Sequence, residues 1–165
     1  MESQTLLMGL DMSREWLLAI LEKIEKSGQE PAKVLAWRPG PGRAHIGWQA
    51  MHCAATHESY FSKSILQQPP KHADLIANFG GGTTPSDTNV PTLAMIRETL
   101  ASTIAPIRKF LSEQTPQSLE RQMPGPGGKM RSIGEIIVLL NWHEAHHQGQ
   151  IHLTWNLYKA SHEIA

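Results

Sequence analysis

Apolar residues recur at steps of three and four in four stretches of the chain, and no stretch sustains the strict alternation of a half-buried strand. The first stretch, residues 5–27, sets Leu6, Leu10, Leu17, Ile20, Leu21 and Ile24 near one helical face before Gly28 and Pro31 break it. The second covers 44–65, stopped by Pro69 and Pro70. The third, 91–113, carries the stripe Leu93, Ile96, Leu100, Ile104, Ile107 and Leu111, with Pro106 expected to kink it. The fourth, 132–159, opens on Ser132-x-x-Glu135, a capping box ahead of an apolar run. Four amphipathic helices in one chain predict an all-α four-helix bundle.

Two connections are long and rich in Pro, Gly and polar residues, 66–90 and 114–131. Long crossovers let a chain traverse a bundle instead of turning straight back, and they also supply lids or walls for a site. The length of 165 residues suits a single domain spanning 1–165. Fifteen basic residues balance fifteen acidic ones, and Lys and Arg are scattered, so neither nucleic acid nor a membrane surface is an expected partner. A single cysteine, Cys53, excludes an internal disulfide and suits a reducing compartment. With no basic, apolar leader at the start, the expectation is a cytoplasmic protein.

Nine histidines change the picture. In the fourth helix the inward stripe runs Ile133, Ile136, Leu140, His143, His147, Ile151 and then Trp155 or Leu157. Two imidazoles one turn apart therefore replace Ile or Leu at core positions, which is costly unless their nitrogens are satisfied. A shared metal ion satisfies them; so do hydrogen bonds within a metal-free core. A bundle site draws further ligands from a facing helix, and the second helix offers His45, His52 and His57. A stripe through Trp48, His52, Ala55 and Ser59 favours His52, whereas one through Ile46, Ala50, Cys53, His57 and Tyr60 favours His57. Periodicity leaves both open.

The strings "HIGWQAMHCAATHESY" and "SIGEIIVLLNWHEAHHQGQI" together resemble the DinB/YfiT-like superfamily of metal-binding four-helix bundles, over nearly the whole chain. The resemblance implies a DinB/YfiT-like fold and places the three metal ligands on His52, His143 and His147. It departs from the family at Gln148, where an arginine often follows the last histidine. Imidazole ligands suit a divalent transition metal, with Zn or Ni expected first and Fe or Cu after them. The resemblance further implies a low-molecular-weight thiol as cosubstrate acting on a small-molecule substrate. Dimers are frequent in the family, so a homodimer is among its expectations.

His143-Glu144-Ala145-His146-His147 also satisfies H-E-x-x-H, the zinc-protease signature. The extended form wants Gly at 150 and His at 153, where this chain has Gln150 and Leu153, and only eighteen residues follow His147. The protease reading fails. Glu144, the general base of that reading, becomes a weak catalytic candidate, expected to lie exposed or to hydrogen-bond one of the histidines. Three neutral histidines leave a coordination position open, the pattern of a catalytic site. The function expected is a metal-dependent enzyme, a thiol-dependent transferase or a hydrolase. The alternative is a non-catalytic, stress-related metal-binding bundle, in which a fourth ligand such as His57 or Glu58 closes the site. Cys53 is expected to pack between helices. Trp48, Trp142 and Trp155 are expected near the histidine faces, and Met8, Met12, Met51 and Met95 as core gap-fillers.

Overall fold

The computed structural model describes residues 2–164; the two terminal residues of the expected 1–165 domain lie outside it. Its main helices are α1 (Ser3–Lys26), α3 (Ile46–Ser59), α5 (Leu93–Ser112) and α7 (Ile133–Ser161). Between them lie α2 (Pro31–Ala36), α4 (Ala73–Phe79), α6 (Pro116–Leu119) and an antiparallel pair of three-residue strands, β1 (Gln122–Pro124) and β2 (Met130–Ser132). The fold is all-α in character, and the four periodic stretches are its four long helices.

Local sequence explains the element ends. Ser132 and Glu135 form the capping box that starts α7, each side chain bonding the other's backbone N–H. Thr92 caps α5 and the His45 ring caps α3. The second helix reaches as far as expected, but its last turns, Tyr60–Leu66, are wound as a π-helix that ends on Gln67 at positive φ. The short elements α2, α4, α6 and the hairpin were invisible to periodicity because each is shorter than two or three helical turns. Helix α5 continues through Pro106 as one element.

Neighbours in the bundle are α1 with α7, α7 with α3, α3 with α5, and α5 with α1. Cross-helix contacts set the directions. Gly9 meets Asn141 and Arg14 meets Glu144, so α1 and α7 run parallel. Gln49 shares a cleft with Gln150 and Thr154, His52 meets His143, and Phe61 and Ile65 share a cluster with Ile133 and Ile136, so α3 runs against α7. Arg97 pairs with Glu25 and Arg108 with Asp11, so α5 runs against α1, and the crossover 67–92 returns the chain to lay α5 parallel to α3, the use predicted for a long connection.

The core is divided. One apolar cluster gathers Leu17, Leu21, Ile24, Leu35, Ile46, Ile96, Leu100 and Ile151; the other gathers Leu6, Leu10, Phe61, Ile65, Ile104, Ile107, Ile133 and Leu140. Between them sits a polar level containing Ser13, Arg14, His57, Thr103 and Glu144, all buried. Helix α3 is buried almost all round, as a central helix must be. Trp155, not Leu157, continues the α7 stripe inward. The methionine expectation is corrected: Met51 is core, but Met8, Met12 and Met95 lie on the outer faces of α1 and α5 and are more than half exposed.

Candidate metal centre

The turn of α7 that carries His143 and His147 faces the middle of α3, where His52 projects toward them. The three ring centroids form a nearly equilateral triangle, with His52–His143 at 4.9 Å, His52–His147 at 4.8 Å and His143–His147 at 4.6 Å. One nitrogen from each ring lies within 4.8 Å of the others. The Nε2 atoms of His52 and His143 are 3.2 Å apart. Two imidazole nitrogens on one tetrahedral ion, each about 2.0–2.1 Å from it, stand about 3.3–3.4 Å apart, so the observed spacing fits a common ion.

Each ring is prepared differently. His52 Nδ1–H donates to the Phe79 carbonyl at 2.6 Å, which fixes the tautomer and leaves the Nε2 lone pair facing the other two rings. Trp48 stacks on the His52 ring at 4.6 Å, nearly parallel. The Nδ1 atoms of His143 and His147 are buried with no hydrogen-bond partner. Burial, followed by repulsion from the neighbouring imidazoles, pulls His143 down to about 3 and His147 to about 4, and burial also lowers His52. All three are therefore neutral at pH 7, the state a metal requires. Neutral rings, converging nitrogens and the tetrahedral spacing of the His52–His143 pair make the donor set fit a divalent transition metal.

The competing histidines take other posts. His57, five residues further along α3, is fully buried, with Nε2 3.2 Å from Glu144 Oε2, and burial lowers it to about 4. His45 accepts from the Trp48 N–H and donates to the Ser86 carbonyl. His146 and His152 are exposed, with His146 stacked on Trp142 and bonded to Gln150. Glu58 accepts from Ser62 Oγ and from the Lys71 and His72 amides, tying the π-helix to the crossover. Among the described residues, neither His57 nor Glu58 joins the cluster to close it.

Glu144 overturns the exposure expected of it: it is completely buried and forms a two-point ion pair with Arg14, whose third nitrogen reaches the Leu100 carbonyl. Its histidine neighbour is His57 and not a member of the triangle. Arg14 is the residue that periodicity missed. The α1 stripe steps from Leu10 to Leu17, and the two helical positions that bridge this gap at steps of three and four are Ser13 and Arg14, both buried. Cys53 is buried between helices as expected, and burial pushes its thiol well up, which removes it as a nucleophile. Of the tryptophans, Trp48 touches the triangle, Trp142 is exposed beside it, and Trp155 packs in the core. Among the described residues, no helix is long and apolar enough to cross a membrane.

A solved structure described as the conserved protein of a locus from Enterococcus faecalis superposes with a TM-score of 0.73, covering 95% of this chain and 97% of that one at 16% identity. At that identity the likeness speaks to the fold alone. No curated protein matches the sequence significantly. The sequence model of the DinB superfamily matches residues 9–151, which takes in α3, the crossover and both ligand-bearing turns of α7, and the chain belongs to that superfamily.

Proposed function

We propose that this protein is a metal-dependent enzyme in which His52, His143 and His147 hold one divalent transition metal. Imidazole donors suit Zn, Ni, Fe and Cu alike, and Zn or Ni are the ions we favour. The observation that carries the reading is a triangle of three neutral imidazoles with no fourth protein ligand among the described residues, its α7 members only half-buried. Bound there, such an ion supplies Lewis acidity that brings a water or thiol toward deprotonation at neutral pH.

The chain's own residues do the positioning. The Phe79 carbonyl holds His52 in one tautomer, and the Trp48 ring limits its rotation. Packing of α7 against α1 and α3 sets the rotation of the helix, and so the direction of His143 and His147. Cys53 is too deeply buried to act on substrate, and both oxygens of Glu144 are engaged away from the triangle. Any acid–base work beyond the site's own nucleophile then falls to solvent or substrate.

The reaction class we favour is thiol-dependent transfer onto a small molecule, with hydrolysis as the variant. The test is a Zn- or Ni-loaded sample assayed with glutathione or cysteine and the electrophile 1-chloro-2,4-dinitrobenzene, and separately with 4-nitrophenyl acetate. Thiol conjugation that vanishes in His143→Ala supports transfer, and ester cleavage with the same dependence supports hydrolysis. Tight metal binding without either activity supports the non-catalytic alternative.

A further inference from the structure

Resting on that reading of the histidine site, we propose that the cleft between the N-terminal half of α3 and the C-terminal half of α7 binds a small organic carboxylate. The ligand carries an N–H or O–H donor and an apolar body, and its reacting end points toward the histidines. The cleft encloses about 550 Å³, ample for a small organic molecule, and Arg43, Gln49, Gln150, Leu153, Thr154 and Leu157 line it. Two of its lining residues neighbour the candidate ligands along their helices. Gln49 lies one turn before His52 on α3, and Gln150 lies one turn after His147 on α7.

Three features select the ligand. Gln49 is 3% exposed; its Nε2 donates to the Ala44 carbonyl, but its buried Oε1 has no partner. A native interior rarely leaves such an acceptor unmade, and an incoming N–H or O–H satisfies it. Arg43 is an exposed cation at the rim, in no ion pair among the described residues, and no acidic residue lines the cleft. The neighbouring Arg38 bonds the Arg43 carbonyl but is itself paired with Asp87, so one free guanidinium faces the cleft and matches a singly charged carboxylate better than a phosphate. Leu153 and Leu157 are exposed on α7 and give the cleft an apolar wall. Thr154 is already satisfied by the Gln150 carbonyl and serves as a fixed surface.

The test is an amide-resolved NMR titration of the full chain, metal-free and Zn-loaded, with hippurate, its methyl ester and N-methylhippurate. These probes share the apolar ring and remove the charge or the N–H one at a time. Saturable shifts at Gln49, Gln150 and Leu153 are expected with hippurate, and binding weakened about tenfold for each of the other two. Arg43→Gln should bind acid and ester alike while holding metal as the wild type does. Hippurate and its ester binding equally to the wild type overturns the assignment. So do shifts that map elsewhere, or no saturation at millimolar probe. A wild type that shows the hippurate preference but takes up no metal supports the cleft while overturning the enzyme reading, so the two fail separately.

Discussion

On one turn of α7 two consecutive residues, His143 and Glu144, enter two polar clusters built on opposite principles. Glu144 joins Arg14 and His57 in a closed cluster where opposite charges meet and water is excluded. His143 joins His52 and His147 in an open cluster of like, neutral donors, in which the Nδ1 atoms of His143 and His147 have no partner. The first pairs its charges within the protein, although both His57 ring nitrogens lie buried without a hydrogen-bond partner, and it fixes how α1, α3 and α7 sit together. The second is incomplete without something from outside. Burying polar groups is not itself a sign of function; leaving them unsatisfied in a convergent geometry is.

The comparison breaks most visibly at Glu144. In Glu144→Ala the Arg14 guanidinium is left buried and unpaired, and stability should fall by about 3–5 kcal/mol in denaturant unfolding. A loss below about 1 kcal/mol would show that the ion pair does not organise the bundle.

The open cluster should respond instead to metal. Free ion at 100 to 1,000 times its dissociation constant should stabilise the wild type by about 2.7–4.1 kcal/mol, a gain that chelator removes and that His143→Ala never shows. Equal stabilisation of wild type and variant would place the ion elsewhere.

Acid sharpens the contrast. The folded-state values of about 3 for His143 and about 4 for His147 and His57 lie below the ordinary 6.5, so the unfolded chain takes up protons first. Metal-free stability should therefore hold above pH 6.5 and fall as pH drops from there toward 4, with a slope of up to about 1.4 kcal/mol per pH unit for each such proton. A stability flat over that window contradicts the buried, neutral histidines.

The smallest effect belongs to Trp48. In Trp48→Leu the stacked support of His52 is lost, and metal affinity should fall about tenfold, the lower end for residues that orient a ligand. Isothermal titration with Zn checks it, and an unchanged affinity would assign His52's orientation to the Phe79 carbonyl alone.

Most of the fold was legible because long amphipathic helices write their period into the sequence, as Leu93 to Leu111 do in α5. The π-helix and the strands around Met123 and Arg131 were not, since their geometry comes from packing and not from local pattern. For the site, His143 and His147 declared themselves by occupying core positions of a single stripe. His52 and His57 could not be separated that way, because α3 is buried nearly all round and both of its stripes lead inward, one to each cluster. The ion pair stayed hidden for a related reason. Arg14 and Glu144 lie far apart in sequence, and each reads as a surface charge until the helices are set side by side.

Metal content by plasma mass spectrometry tests the central claim most directly, on untagged protein loaded with Zn and exchanged into metal-free buffer. The account predicts one ion per chain in the wild type and in His146→Ala and His57→Gln, and none in His52→Ala, His143→Ala or His147→Ala. Metal retained by all three of the latter variants, or lost on changing His146, would contradict it.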